Sequence, residues 1–459
     1  MSTKDSKPNL SHSQAIEIVK RLYGLTVSVI RPLPSYDDQN LYVATSEGAE
    51  YVLKVMNSAD SQNITVIELQ THTMNFLHQR GLPAQTALPN LTGQLMSLEE
   101  FDCGFGTQKY LVRLLTYLPG TTVAKITCSP QILYDVGKMA ATLDTVLLQM
   151  DHPNIGVLQR KDFIWNLSSV PLLSQYIHVM DGDPVQKVVK AVMEQYQTQV
   201  VPKLPLFRKW APFALITASI RCGMEVISLW QLLRWCGSPG FFDSGLHSLW
   251  GSGLVSLLAS QAHHEDFGSL GNSPFLLLLS PGKTPLTSSV VQEWLNKRNT
   301  TTVAKFLDTS VCGGVNHGDF NDHNLLVKPD GPSKYEISGI LDFGDMSCGY
   351  FIFELAISIM YMMIENPNPV DVGGPVIAGW ESVFPLNEAE RDSLYLLVLC
   401  RFCQSLVLAR HAVIQQPENE EYLMITARTG VRHLCRLWEL GKEEVERIWF
   451  KSAAQFSQP

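Results

Sequence analysis

The stretch VNHGDFNDHN at residues 315–324 crowds two histidines, two aspartates and three asparagines together, and ILDFGD at residues 340–345 adds two more aspartates after an apolar run. Side chains of these types, so spaced, suit phosphoryl transfer. That chemistry needs a carboxylate to accept or orient the acceptor hydroxyl, an amide and a second carboxylate to hold Mg²⁺, and a cation against the nucleotide phosphates. In the pattern HGDxxxxN, Asp319 and Asn324 stand on one short loop, so both can face a single cleft while His317 braces the turn. Asp342, closing YEISGILDF, supplies the second metal ligand. Lys54 in YVLKV is the candidate phosphate cation, and Glu68 in VIELQTH can form the ion pair that aims it. An HGD, a DFG or a strand lysine alone is commonplace; their order along one chain carries the reading.

The elements that must position these residues follow from the patterning. SQAIEIVKRL at 13–22 has the apolar spacing of a helix, and VSVIRPLP, LYVATSEGAEYVLKVM and QKYLVRLLTYLPG have the alternation and β-branched content of strands. The turn SEGAE joins two of these runs into a hairpin. ITVIELQTHTMNFLHQRG repeats apolar residues at three and four and stops at Gly81 before Pro83, as a helix does. Beyond Pro119 and Gly120 the character turns helical, with QILYDVGKMAATLDTVLLQM, QKVVKAVMEQYQTQV, FIFELAISIMYMMIE and two longer amphipathic runs to residue 450. A small β-rich lobe therefore precedes a large helical one.

Composition excludes other classes. At 459 residues with 45% hydrophobic content the chain has material for a sizeable core. A net charge of -9 leaves no basic stripe for nucleic acid. Nine cysteines with a single CxxC, at Cys400 and Cys403, and no second one to pair with it suggest reduced thiols, and the polar start MSTKDSKPNLSHSQ suggests no secretory signal, so the expected setting is the cytoplasm. No membrane partner is expected.

In these motifs the chain resembles the aminoglycoside phosphotransferase and choline kinase group, a branch of the protein-kinase-like fold that phosphorylates small hydroxylated molecules; the resemblance covers about 13–208 and 315–450. It implies an α+β, bilobal fold, with a nucleotide-binding lobe at 13–118 and a helical lobe at 119–208 and 315–450. It further implies Asp319 as catalytic base with His317 beside it, Asn324 and Asp342 on Mg²⁺, and Lys54 with Glu68 on the nucleotide phosphates. LPSYDDQN, with Ser35 and Asn40, occupies the place of the nucleotide loop. Closer agreement in LPSYDDQN, YLVRLLTYLPG, NHGDFNDHN, ISGILDFGDMSCGY and IMYMMIE is with family members that act on 5-hydroxylysine, which implies that acceptor, with GTP rather than ATP as donor. Choline, ethanolamine or an aminoglycoside are the alternative acceptors.

Independently of the resemblance, FGDMSCGYFIFE leaves no room for a long activation segment or an APE-like anchor, so the partner is a small molecule rather than a protein. A cationic amino acid would draw on Asp345, Glu354 and Glu365, and its carboxylate on Arg401. Residues 209–314 resemble nothing in the family; they hold Trp210, Trp230, Trp235, Trp250 and Trp294 and few charges between 210 and 260. Arg221, Glu225 and Arg234 interrupt any membrane-length apolar run there. The expectation is an atypical, poorly ordered insertion before the catalytic loop, of unselected character, with an impaired isoform as its functional consequence.

Overall fold

The run LYVATSEGAEYVLKV folds as the hairpin its alternation predicts: β2 (Gln39–Thr45) and β3 (Glu50–Val55) pair antiparallel across a turn in which Gly48 takes a φ of 85°. With β1 (Val27–Leu33), β4 (Ser97–Asp102) and β5 (Thr107–Thr116) they form an antiparallel sheet of order β1-β2-β3-β5-β4. Helix α1 (His12–Tyr23) starts on a Ser11–Gln14 capping box and ends on left-handed Gly24. Its Ala15, Ile18 and Val19 are buried against Leu41, Val43, Leu53 and Val112 of the sheet. Helix α2 (Ile64–Gln79) follows β3. The molecule is described from a computed structural model, over residues 7–102, 106–209, 314–331 and 334–456. The stretch expected to be an insertion lies outside the described residues except at its two ends.

The strand β6 (Thr121–Thr122) already pairs with β8 (Leu325–Pro329), so the chain crosses between lobes in Tyr117–Gly120. Helices α3 (Pro130–Leu147) and α4 (Val185–Gln195) come next. The short strand β7 (Val315–Asn316), β8, β9 (Tyr335–Ile340) and β10 (Ser347–Cys348) then frame the catalytic loop, β7 pairing with β10 and β8 with β9. Five helices complete the lobe: α5 (Phe351–Ile364), α6 (Gly373–Glu381), α7 (Glu388–Gln415), α8 (Glu420–Leu423) and α9 (Ile425–Phe456), the last broken at Gly441. The α+β, kinase-like arrangement holds.

Three features of this lobe set the site. Every residue of α5 is buried, so the helix entering at Phe351 is a fixed post beneath the catalytic loop. α7 is long and apolar enough to cross a membrane by length and composition, yet 78% of its apolar window is buried inside the protein. α6, GGPVIAGWE, lies so close to its neighbours that a Cβ on Gly379 would sit 1.8 Å from the Tyr134 carbonyl oxygen, and one on Gly137 of α3 only 1.9 Å from that of Val376. Two helices thus meet backbone to backbone through glycine.

The chain leaves the described lobe at Lys209 and returns at Gly314. Arg208 O accepts from Phe351 N at 3.2 Å and Gly314 O accepts from Gly349 N at 3.0 Å, so both ends hang on the start of α5. Among the described residues Cys128, Cys400, Cys403 and Cys435 are free thiols.

Candidate active site

The loop after β7 is shaped by its own side chains. Gly318 takes a φ of 82°, and a Cβ there would meet the Asp345 carbonyl oxygen at 2.5 Å, so only glycine lets the loop lie against the 342–345 segment. His317 is fully buried; its Nε2 donates to Leu341 O at 2.9 Å and its Nδ1 accepts from Asp319 N at 3.3 Å, which fixes the neutral tautomer with its proton on Nε2. It ties the loop to the end of β9 and packs edge-on against Phe343. His317 is therefore a brace for the loop.

Asp319 is held by both oxygens. Oδ1 accepts from Arg401 Nη2 at 3.2 Å and Oδ2 from Asn324 Nδ2 at 2.8 Å, with a quarter of the side chain open to the cleft. Asn324 Nδ2 also donates to Asp319 O at 3.0 Å, which leaves the amide oxygen as the group a hard cation takes. Asp342 follows β9 at a φ of 54°, the one non-glycine residue with positive φ among the described residues; such strain clusters at functional sites. Its Oδ1 lies 3.4 Å from Lys54 Nζ, and that ammonium holds the carboxyl below its usual range. Asn324 and Asp342 together fit Mg²⁺, which keeps waters and substrate phosphates and needs only one or two protein oxygens.

On the nucleotide side, Lys54 pairs with Asp38 Oδ2 at 3.0 Å as well as with Asp342. Burial works against its charge, but Asp342 and Asp38 outweigh it and raise the ammonium's pKa. The expected Lys54–Glu68 pair does not form. The inward stripe of α2 runs through Ile67, Gln70, Thr71 and Met74, which puts Glu68 and His72 on the exposed face. What α2 presents instead is Gln70 and Thr71 to Arg113, whose Nη1 donates to Thr71 Oγ1 at 2.8 Å, and Gln70 Nε2 to Gly344 O at 3.2 Å. Ser35 Oγ donates to Asp38 O at 2.7 Å and Asn40 Nδ2 to Pro34 O at 3.4 Å, so both side chains hold the loop's own shape.

The motifs do not single out Arg113 or, within LPSYDDQN, Asp38. Arg113 sits opposite Lys54 across β3 and β5, a second buried cation beside Asp38 and Asp342. An arginine inside the apolar strand YLVRLLTY is the signal that could have found it.

Two of the four acceptor candidates have other duties. Glu354 is fully buried in the first turn of α5, where Oε2 accepts from Gly318 N at 3.1 Å; it anchors the catalytic loop from below. Arg401 is fully buried on α7, donating to Trp165 O at 2.9 Å and Gly318 O at 3.4 Å besides Asp319, between the rings of Trp165 and Tyr361. It is the counterion of Asp319 and offers no free fork to a substrate carboxylate. Asp345 stays a candidate: among the described residues its carboxylate has no hydrogen bond or ion pair, while burial and then Asp319 push its pKa well above the usual range against the pull of Arg401 and Arg160. Glu365 caps α5 beside a small recess lined by Asp322, Tyr361 and Cys128.

This geometry gives one expected outcome at once. Asp342→Asn weakens Mg²⁺-dependent nucleotide binding by at least about tenfold and leaves binding in chelator nearly unchanged; calorimetric titration with and without Mg²⁺ checks it. Equal losses in both titrations would remove Asp342 from the metal site.

A family model for a phosphotransferase enzyme family matches residues 29–198 and 284–386. Hydroxylysine kinase of Danio rerio is 65% identical over 458 residues, covering 100% of either chain, and that of Xenopus laevis is 40% identical over 463 residues, covering 98% of this chain and 96% of its own. A solved structure of a microcompartment-associated aminopropanol kinase aligns over 95% of this chain and 100% of that one, with a TM-score of 0.49 and 13% identity. The stretch expected to be an insertion, 209–314, lies inside the span of the Danio rerio alignment. Its last part falls within the family match, which resumes at 284.

Proposed function

Because the chain belongs to the phosphotransferase enzyme family and is a phosphotransferase with an alcohol group as acceptor, we propose that it transfers the γ-phosphoryl group of GTP, with Mg²⁺, to the side-chain hydroxyl of 5-hydroxylysine. The observation that carries the acceptor is Asp345. A half-buried carboxylate without a partner, next to the catalytic Asp319, suits an ammonium placed one carbon from the reacting hydroxyl. The names of the Danio rerio and Xenopus laevis relatives support the same acceptor. GTP rests on the likeness in LPSYDDQN and YLVRLLTYLPG alone. Four free thiols among the described cysteines support a cytoplasmic setting.

In this reading Arg401 and Asn324 aim the Asp319 carboxylate at the acceptor hydroxyl, whose proton it accepts as the phosphoryl group moves. Lys54 and Arg113 supply positive charge on the phosphate side, and Mg²⁺ at Asn324 and Asp342 would neutralise the charge developing on the transferred group.

The test is product analysis with the purified full-length chain and Mg²⁺, offering GTP or ATP against 5-hydroxylysine, choline, ethanolamine and an aminoglycoside. Nucleoside diphosphate release that depends on 5-hydroxylysine, with one phosphoryl group gained by the amino acid, is the expected result. Faster turnover of another amine overturns the acceptor, and preference for ATP overturns the donor.

A further inference from the structure

The loop between β1 and β2 is fastened on its nucleotide side and leaves one side chain, Tyr36, without a hydrogen bond from its hydroxyl. Asp38 Oδ1 accepts from Asn57 N at 2.9 Å and Asp38 Oδ2 meets Lys54, so this part of the loop follows the phosphate-binding lysine. Lys7 Nζ donates to the Tyr36 carbonyl at 3.0 Å and fixes the loop's crest from outside. The Tyr36 phenol departs from this frame. Its electrostatic neighbours, besides adjacent Asp37, are Asp345, Tyr361 of α5 and Tyr422 of α8. Asp345 and Tyr361 flank the Arg401–Asp319 pair. A residue of the nucleotide loop thus reaches the acceptor side of the cleft.

Its chemistry there is unfinished. The Tyr36 hydroxyl is buried and makes no hydrogen bond, and a buried hydroxyl left so calls for a partner that arrives from outside the chain. The surroundings specify that partner's charge. Asp37 and Asp345 are both electrostatic neighbours of the phenol, and Asp37 makes no ion pair among the described residues. A phenol oxygen in so acidic a setting accepts a hydrogen bond from a cation, and the ring faces add attraction for an ammonium.

We infer that Tyr36 is an acceptor-binding residue: its phenol oxygen takes a hydrogen bond from the ammonium of the hydroxylated amine, beside the Asp345 carboxylate, so that one loop serves both substrates. This rests on the reading of the acceptor as an amine-bearing alcohol and adds the residue that senses the amine. It also gives the acidic sequence SYDDQN a division of labour, with Asp38 on the lysine side and Tyr36 on the acceptor side.

The experiment is steady-state kinetics of the full chain, wild type against Tyr36→Phe and Tyr36→Ala, varying acceptor at saturating nucleotide and nucleotide at saturating acceptor. The acceptor is whichever amine the wild type phosphorylates, so the wild-type panel alone reports on 5-hydroxylysine. Tyr36→Phe, which keeps the ring and the loop's packing, raises the acceptor KM about tenfold, as loss of one hydrogen bond to a charged group does, with the nucleotide KM within about twofold. Tyr36→Ala raises it further. Should the nucleotide KM rise instead, or neither KM change in Tyr36→Phe, the inference falls. It falls equally if the wild type prefers a neutral polyol.

Discussion

Asp319→Asn lowers turnover by about a thousandfold, within the range for loss of a general base, and leaves nucleotide affinity within about threefold. The reason for the first effect is more than a lost charge. Asparagine can still accept from Arg401 through its oxygen, but its amide nitrogen then confronts Asn324 Nδ2, a donor against a donor where a 2.8 Å hydrogen bond stood. The acceptor hydroxyl loses its proton acceptor, and the loop loses the bond that aims it. The second effect follows because Lys54, Arg113 and Asp342 hold the nucleotide side without touching Asp319. Arg401 is left with a buried charge and no counterion, a cost to stability of roughly 3 kcal/mol. Single-turnover rates, nucleotide titration and denaturant unfolding separate the three quantities. A parallel fall in nucleotide affinity would mean that Asp319 holds metal or phosphate rather than acting on the acceptor.

Gly379→Ala costs about 3–5 kcal/mol of stability, at or beyond the usual range for overpacking. Overpacking elsewhere is relieved by turning a side chain, but here the new methyl group meets the Tyr134 carbonyl oxygen at 1.8 Å, and backbone cannot turn aside. Helix α6 must then lift from α3. Gly373 and Gly374 press its other end against Trp449 and Ser452 of α9, so the displacement opens a second contact too. Gly137→Ala, from the opposite side of the crossing, has the same effect. Gly156→Ala is the control, because a Cβ there meets nothing within 4 Å. Denaturant midpoints of the three variants check the ranking, and a Gly379→Ala chain as stable as the control would refute the close crossing.

The parts of this site that are neighbours in sequence were legible before the fold was known. HGDxxxxN fixes Asp319 and Asn324 on one loop, β9 covers YEISGI and stops two residues before Asp342, and the hairpin delivers Lys54 as its alternation requires. What failed was long-range partnership. Glu68 had the right element and the wrong phase, since one step around a helix is about 100° and moves a side chain from cleft to solvent. Arg401 lies far along the chain from Asp319, and nothing local to α7 says which carboxylate its guanidinium will meet. Glu354 looked like a pocket acid because it interrupts an apolar helix; the same interruption serves a catalytic-loop amide that needs an acceptor. At 209–314 low charge and clustered tryptophan read as unselected sequence, although the family match resumes at 284, inside that stretch.

The two ends of that segment carry a consequence for how such enzymes vary. A Cβ on Gly314 would come within 3.0 Å of the Lys209 carbonyl oxygen, so the chain departs and comes back at one spot on the scaffold. Doubling the length of a flexible excursion from such a joint costs only about 0.6 kcal/mol in closure entropy, and neither anchor strand nor helix has to move. Lineages can lengthen, shorten or recast what hangs there while Asp319 keeps its aim. For the engineer the same joint is a graft point, where a sensor domain with adjacent termini can be spliced into a working catalyst.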